Sequence, residues 1–262
     1  MKVALCQTHI IWENKEANYA KAEGLINEAV YKGADLVFFP EMSFTGFSMN
    51  IDVTKEKDDK TVNKMIAFAK EYRVALGFGW VKDCGGKVEN HYTVIDELGN
   101  ILSDYTKMHS FLYGGEGEKF NSGGDICQFE YAGMTFTPFI CYDLRFPEVF
   151  RIAAETTDVF VIPANWPANR AEHWNTLLQA RAIENQNYVL GINCVGDVGG
   201  LRYVGNSTII EPDGKITECV SDVEKIIYGI IDKRKMSIRE EFNVMQDRKT
   251  ELYFQLYKNA KA

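Results

Sequence analysis

The stretch "TFTPFICYDLRFPE", residues 135–148, passes from an apolar run through a charged turn into the start of a helix. The apolar run is typical of a buried strand, and Pro147 stands where helices favour proline, in their first turn. Cys141 lies where the run ends and the chain turns polar, a setting that a buried structural cysteine does not need. Catalytic residues of α/β folds collect in the loops after strand ends. The stretch therefore predicts a strand–turn–helix unit with Cys141 as a candidate nucleophile.

Short apolar runs alternate with amphipathic segments on both sides of this unit. Strands are predicted at 2–7, 34–40, 74–81, 101–107, 158–166, 188–196 and 224–232, helices at 14–33, 61–73, 147–155 and 169–185, and a hairpin at 205–216. Strand–helix alternation mixed with hairpins predicts an α/β sandwich of two sheets flanked by helices, with one doubly wound sheet as the alternative. Residues after about 235 are predicted to form a mixed helical and extended tail.

The composition is that of an ordinary globular domain. The chain has 262 residues, of which 46% are hydrophobic and 25% charged, and a formal net charge of −8. This length suits a single α/β domain. An acidic chain lacks the basic surface that nucleic acid and anionic membranes require, so neither is an expected partner.

The sequence also predicts a cytoplasmic location. The N-terminal apolar run is too short for a signal peptide, and no apolar stretch approaches the roughly 18 residues of a membrane helix. The six cysteines form no C-x-x-C pair, so free thiols in a reducing compartment are expected. The four histidines are dispersed, which gives no metal-site signature.

Three strand ends carry residues that make chemical sense together. Glu41 follows "LVFFP", Lys107 follows "ILSDYT" and Cys141 follows "TFTPFI". Each alone is more often structural, but a thiol with a pKa of ~8.5 needs a base to react at neutral pH. A carboxylate whose pKa is raised by apolar surroundings can be that base. Lys107 would favour the thiolate and, with the backbone N–H of Tyr142, stabilise an oxyanion, so no metal or cofactor is required.

Three segments resemble the motifs of the nitrilase superfamily, the carbon–nitrogen hydrolases. They are "FFPEMSFTGFS" (38–48), "YTKMHSF" (105–111) and "ICYDLRFPE" (140–148), in the family's order and at its usual spacing. The resemblance covers nearly the whole chain and implies an αββα sandwich over residues 1–262. It also implies a face-to-face homodimer, so the tail from about 235 is expected at a subunit interface.

The resemblance extends to the roles of individual residues. It makes Cys141 the nucleophile, Glu41 the general base and Lys107 the group that stabilises the tetrahedral intermediate. The family often has a second glutamate between the lysine and cysteine motifs. Glu116 and Glu118 both lie in that interval, and Glu116 is favoured because it lies at the matching distance after "KMH".

The subfamily that the sequence most resembles is the omega-amidase group. "PEMSFTGFSM", "CYDLRFPEVFR", "ANWP" and "LLQARAIENQNYV" carry this resemblance. It implies hydrolysis of small ω-amides, 2-oxoglutaramate and 2-oxosuccinamate, with release of ammonia. A planar guanidinium suits the distal carboxylate of such a substrate, and Arg145 is the candidate, with a salt bridge to Asp143 or Glu148 as the alternative. Further candidate pocket residues are Phe44, Tyr142, Asn165 and Trp166, for which core packing is equally expected.

Three other interpretations remain open at this point. A papain-like pair of Cys141 with His109 is disfavoured, because the local sequence around the cysteine is not that of such proteases. An N-carbamoyl-amino-acid or other small-amide hydrolase would share Glu41, Lys107 and Cys141. A catalytically silent scaffold of the same fold is the third, and the presence of all three residues argues against it.

Overall fold

Two β-sheets pack face to face between two layers of helices. The computed structural model describes residues 1–260. Its strands are β1 (Lys2–Gln7), β2 (Leu36–Phe38), β3 (Lys55–Glu56), β4 (Ala75–Asp83), β5 (Val88–Ile95), β6 (Ile101–Thr106), β7 (Phe120–Asn121), β8 (Phe129–Tyr131), β9 (Met134–Pro138), β10 (Val159–Ala164), β11 (Tyr188–Asn193), β12 (Val195–Val198), β13 (Leu201–Ile210), β14 (Ile216–Ser221) and β15 (Lys225–Ile230).

The sheets divide the chain into an N-terminal and a C-terminal half, with one strand exchanged. The first sheet has the order β15-β1-β2-β4-β5-β6, with β3 beside β4 and β7 beside β5. The second has the order β12-β13-β11-β10-β9-β8, with β14 beside β13. The centre of each sheet is parallel: β1, β2 and β4 in the first, and β9, β10 and β11 in the second. The C-terminal strand β15 pairs antiparallel with β1 and forms one edge of the first sheet.

The helices cover the outer faces of the sheets. They are α1 (Lys15–Tyr31), α2 (Ile51–Thr54), α3 (Lys60–Tyr72), α4 (Glu116–Lys119), α5 (Pro147–Ala153), α6 (Ala171–Asn185), α7 (Ile238–Glu241) and α8 (Thr250–Ala260). The side chain of Asn14 caps α1 by accepting the N–H of Ala17 at 3.1 Å. Gly33, with φ of 77°, follows the end of α1 in the left-handed conformation that glycine favours after a helix.

Strand β1 contributes side chains to two separate hydrophobic clusters. Val3 and Leu5 point into the cluster between the sheets, whereas Ala4 and Cys6 point into the cluster beneath α1 and α3. Successive side chains of a strand alternate between its faces, so a strand covered on both sides reads as a continuous apolar run. Burying a side chain such as Leu5 contributes roughly 1.5–3 kcal/mol.

The structure confirms the two-sheet sandwich and excludes the single doubly wound sheet. Two predicted elements differ in detail. The strand predicted at 188–196 is two strands, β11 and β12. β11 pairs with both β10 and β13, whereas β12, after residue 193, pairs only with β13. The tail holds α7 and α8 and, as far as residue 260, no strand. Among residues 1–260, no helix combines the length and the apolar character needed to cross a membrane.

Candidate active site

The carboxyl ends of strands from both sheets meet at one buried cluster. Glu41 follows β2 and Lys107 follows β6, and the two side chains form an ion pair with Nζ 2.8 Å from Oε1. Cys141 follows β9 on the second sheet. The Glu41 carboxylate lies close enough to raise the pKa of the Cys141 thiol. The structure therefore brings together the three strand-end residues that the sequence singles out.

A strained turn presents Cys141. Its φ of 47° lies in the left-handed region, which costs a non-glycine residue about 1–3 kcal/mol. The buried carboxylate of Asp143 holds this turn by accepting the N–H of Ile140 at 2.8 Å. It also accepts hydrogen bonds from Tyr105 Oη and from the backbone N–H of His109, at 2.8 and 2.9 Å. Asp143 thus fastens the turn of the cysteine to the loop of the lysine.

Glu41 is fully buried and its carboxylate is held on both oxygens. Oε1 accepts hydrogen bonds from Lys107 Nζ and from Asn90 Nδ2, the latter at 2.9 Å. Oε2 accepts the backbone N–H of Asn165 at 3.0 Å. A base fixed in this way can take a proton from the neighbouring Cys141 thiol without reorienting.

Glu116 belongs to the same cluster, whereas Glu118 does not. The Glu116 carboxylate is fully buried, with Oε2 2.9 Å from Lys107 Nζ. It also accepts the backbone N–H of Phe111 at 2.6 Å. Glu118 is exposed to solvent. Of the two candidates for the second glutamate, only Glu116 contacts the lysine.

The charges set the proton positions in the resting cluster. Burial and the facing charge of Glu41 raise the pKa of the Cys141 thiol well above its ordinary value, although Lys107 acts in the opposite direction. Burial alone would lower the pKa of Lys107, but Glu116 and Glu41 hold it above its ordinary value. The resting site therefore contains a neutral thiol beside a charged ammonium.

A cavity of about 360 Å³ opens onto this cluster. Its side-chain lining consists of Phe47, Met49, Lys107, Phe111, Tyr113, Cys141, Tyr142, Arg145, Asn165, Trp166, Pro167, Asn169, Arg170, Leu201 and Tyr203. The volume suits a small molecule, and every charged residue in the lining is cationic. Across residues 1–260, no group of three or more His, Cys, Asp or Glu side chains is placed to hold a metal ion.

Comparison with known proteins identifies the family to which this chain belongs. The family model described as carbon-nitrogen hydrolase matches residues 2–238. The chain belongs to the carbon–nitrogen hydrolase family. It is accordingly a hydrolase that acts on carbon–nitrogen bonds other than peptide bonds.

Relatives of this carbon–nitrogen hydrolase cover nearly its whole length. A 2-oxoglutaramate amidase of Bacillus subtilis is 32% identical over 96% of this chain and 98% of its own. Omega-amidase YafV of Yersinia enterocolitica is 34% identical over 82% of this chain and 83% of its own. A solved CN-hydrolase superfamily protein of Xanthomonas campestris, with an arsenic adduct in its active site, superposes with a TM-score of 0.89 at 29% identity, covering 95% of this chain and 97% of its own.

The pocket residues predicted for this carbon–nitrogen hydrolase divide into two groups. Tyr142, Arg145, Asn165 and Trp166 line the cavity. Phe44 does not: its ring is 2% exposed and lies in the core beneath the helices, 4.7 Å from the ring of Tyr19. The turn after β2 directs residue 44 back towards α1, and a later aromatic of the same motif, Phe47, lines the cavity instead.

Arg145 lies in the wall of the cavity with no acidic partner. Its Cζ atom lies over the ring of Trp166, 4.8 Å from the ring centroid, and its Nη2 is 3.2 Å from His173 Nδ1. The alternative, a salt bridge to Asp143 or Glu148, is absent among residues 1–260, where no carboxylate lies within 4.0 Å of this guanidinium. The cation is therefore available to an anionic ligand.

His109 is not placed as the partner of the cysteine. Its Nδ1 is 2.8 Å from Asp143 Oδ1 and its ring stacks on Phe146 at 3.7 Å. It is not among the residues that line the cavity. The papain-like pairing with Cys141 is thus replaced by a supporting contact to Asp143.

Sequence reasoning missed several residues of the site, and three of them have polar or charged side chains of particular interest. Asn90 bridges the two glutamates, and Arg170 and Tyr203 line the cavity. Arg170 lies shortly after "ANWP", at the end of β10. This position near a strand end is a sequence signal that could have identified it as a pocket residue. Asn90 and Tyr203 lie inside strands, where a polar residue reads as a solvent-facing position.

Proposed function

We propose that this enzyme hydrolyses the terminal amide of a small anionic ω-amide, such as 2-oxoglutaramate or 2-oxosuccinamate, and releases ammonia. The observation that carries the proposal is the Glu41–Lys107–Glu116 cluster beside Cys141, at the end of a cavity whose charged lining is entirely cationic. The names of the Bacillus and Yersinia relatives support this substrate class.

In the first half of the reaction, Cys141 is acylated. Glu41 takes the thiol proton while Sγ attacks the amide carbon, and the carbonyl π electrons move to oxygen. The charged Lys107 and the backbone N–H of Tyr142 stabilise this oxyanion. When the intermediate collapses, Glu41 gives its proton to the amide nitrogen, the C–N bond breaks and ammonia leaves a thioester on Cys141.

In the second half, water replaces ammonia. Glu41 takes a proton from water, and the resulting hydroxide attacks the thioester carbon. The C–S bond then breaks, the proton returns from Glu41 to Cys141, and the free acid leaves. Glu116 keeps Lys107 charged and fixed throughout, since it accepts from Nζ through both oxygens at 3.1 and 2.9 Å.

The distal carboxylate of the substrate would bind the cationic wall of the cavity. Arg145 and Arg170 line this wall, and the Cζ atom of each lies over an aromatic ring, 4.8 Å from the centroid of Trp166 and 5.6 Å from that of Phe111. Such cation–π contacts are favourable for a guanidinium, whose planar fork can bind a carboxylate in a bidentate way. The protein carries a net charge of −8, so this concentration of positive charge is a local property of the cavity.

The test is ammonia release from 2-oxosuccinamate and 2-oxoglutaramate by the enzyme and by Cys141→Ala. The expected kcat/KM exceeds about 10⁴ M⁻¹s⁻¹ and is lost in the variant. Activity that survives in Cys141→Ala would reject the thioester mechanism.

An N-carbamoyl-amino-acid hydrolase is the second candidate, because its substrates also place a carboxylate away from the scissile C–N bond. Turnover of N-carbamoyl amino acids in preference to both ω-amides would select it. Iodoacetamide labelling tests the silent scaffold. This reagent carries a primary amide and should alkylate Cys141 far faster than the other five cysteines.

We also infer a homodimer in a reducing, cytoplasmic setting. Helix α8 exposes an apolar face, with Leu252, Phe254, Leu256 and Tyr257 between 49% and 58% exposed. It borders a groove of about 700 Å³ with the exposed Ile152 of α5. Exposed patches of this kind mark protein–protein contacts, and all six cysteines are free thiols.

A further inference from the structure

Asn90 lies at the centre of the buried charges and is assigned no role by the mechanism above. It belongs to β5 and is 1% exposed. Its Nδ2 donates to Glu41 Oε1 at 2.9 Å and to Glu116 Oε1 at 3.1 Å. Lys107 Nζ donates to the same two oxygens, at 2.8 and 3.1 Å. Two donors and two acceptors thus form a closed ring, in which each carboxylate oxygen lies between a cation and a neutral amide.

The orientation of the Asn90 amide follows from this ring. Ionised carboxylates only accept hydrogen bonds, so the nitrogen must face them. The Oδ1 atom is then left buried without a hydrogen-bond partner among residues 1–260. Buried side-chain oxygens without partners are uncommon in folded proteins. The orientation of this amide therefore serves the hydrogen bonds to the two glutamates, at the expense of a hydrogen bond to its own Oδ1 atom.

We propose that Asn90 is a positioning residue that keeps Glu41 ionised and turned towards Cys141, an inference that rests on the base and nucleophile roles proposed above. Oε1 accepts from both Asn90 and Lys107, whereas Oε2 accepts only the N–H of Asn165, so Oε2 is the oxygen with room to accept the thiol proton. The Asn90 amide also lies between the two buried carboxylates, where it hydrogen-bonds one oxygen of each. A second cation in its place would weaken Glu41 as a base.

The backbone and side chain of Asn90 have separable tasks. Its carbonyl accepts the N–H of Lys107 at 2.9 Å, and this contact survives truncation of the side chain. Asn90 does not line the cavity, so truncation should leave substrate binding intact. A catalytic effect can therefore be distinguished from a loss of strand pairing.

The experiment compares Asn90→Ala and the isosteric Asn90→Asp with wild type. It measures the pH dependence of kcat and the pH dependence of Cys141 alkylation by iodoacetamide. We expect Asn90→Ala to lower kcat about 10- to 100-fold, the size of effect that loss of an outer-shell hydrogen-bond partner has at metal sites, with KM little changed. The acidic limb of both profiles should move to higher pH by about one unit or more. Asn90→Asp, which adds a third carboxylate, should move it further.

The matched control is Asn187→Ala. Asn187 is also buried with an unpartnered Oδ1, but its Nδ2 donates to the Thr157 carbonyl, away from the cluster. This variant should lower the melting temperature and leave the acidic limb in place. An unshifted limb in both Asn90 variants, with Cys141→Ala inactive, would overturn the positioning role alone. Activity retained by Cys141→Ala would overturn the proposed function instead. Asn90→Asp and the alkylation profile keep the test decisive should Asn90→Ala not fold.

Discussion

In the proposed mechanism, Cys141 is a weak nucleophile at rest and becomes a strong one only when Glu41 accepts its proton. Burial and Glu41 raise the pKa of the thiol well above its ordinary value, and Glu41 is also the proposed acceptor of its proton. The ammonium of Lys107 stays charged because two carboxylates surround it. The proposed mechanism therefore assigns thiol activation and oxyanion stabilisation to one hydrogen-bonded pair, Glu41 and Lys107.

Removal of the base should separate chemistry from binding. Glu41→Gln is expected to lower kcat by about 10²–10⁴-fold with a small change in KM, because the amide cannot accept the thiol proton. Steady-state ammonia release measures this effect. Glu118→Gln is the matched control, since Glu118 is an exposed carboxylate two residues after Glu116, and wild-type activity is expected there. Wild-type kcat in Glu41→Gln would show that another group is the base.

Substitution of Arg145 tests whether this residue binds the carboxylate of an anionic substrate. Arg145→Lys keeps the charge and removes the planar fork, so KM for 2-oxosuccinamate should rise about 10- to 100-fold, the equivalent of a charged hydrogen bond of about 1.5–3 kcal/mol. A neutral aliphatic amide of similar length should show little change. The comparison of the two KM ratios is the measurement, and equal effects on both substrates would contradict the role.

Motifs predict the strand-end residues that cluster in the site better than they predict the neighbours of those residues. Glu41, Lys107 and Cys141 each end a strand and carry unusual chemistry for that place, so the sequence singles them out. Phe44 and Phe47 belong to the same motif, and only the path of the turn decides which one reaches the cavity. Asn90 is a strand residue whose partners are 49 and 26 positions away, so no local pattern reports its role.

At the scale of elements, strands buried on both faces and the long helices are predictable because their apolar periodicity is local. Strand β10 reads as an unbroken apolar run, and α1 shows an apolar stripe with a glycine stop. The boundary between β11 and β12 is not predictable, since it depends on which strand lies alongside. The connection between the loop of Lys107 and the turn of Cys141 through Asp143 is a tertiary contact of the same kind.

This connection should matter for stability. In Asp143→Asn an N–H₂ group would face donors from Ile140, Tyr105 or His109, leaving buried groups unpaired. The free energy of unfolding should fall by about 2–3 kcal/mol, which lowers the melting temperature by about 4 to 12 °C. Thermal unfolding followed by circular dichroism measures this. A melting temperature within about 1 °C of wild type would contradict the fastening role, given the same scaling.

At the scale of the whole molecule, the site exists only because two sheets converge. Glu41 and Lys107 come from the first sheet, and Cys141 and Asn165 come from the second. The sheet order brings these strand ends to one seam. Family resemblance predicts this arrangement, whereas strand patterns alone leave a single doubly wound sheet open.

The exposed face of α8 predicts assembly. Phe254→Glu together with Tyr257→Glu should convert a dimer into a monomer, because each places a charge on an apolar surface that a partner would bury. Light scattering coupled to size-exclusion chromatography measures the mass. Tyr31→Glu, at an 84% exposed aromatic on α1, is the control and should remain dimeric. A wild-type protein that is monomeric at micromolar concentration would contradict the assembly.

The neutral resting thiol also bears on chemical damage. Peroxide oxidises thiolates, and susceptibility follows thiolate character. With its pKa raised by burial and by Glu41, Cys141 gives an oxidant little anion to attack, and peroxide has no amide to occupy the substrate's place. The enzyme should therefore endure mild oxidative stress without losing its nucleophile to sulfenic acid.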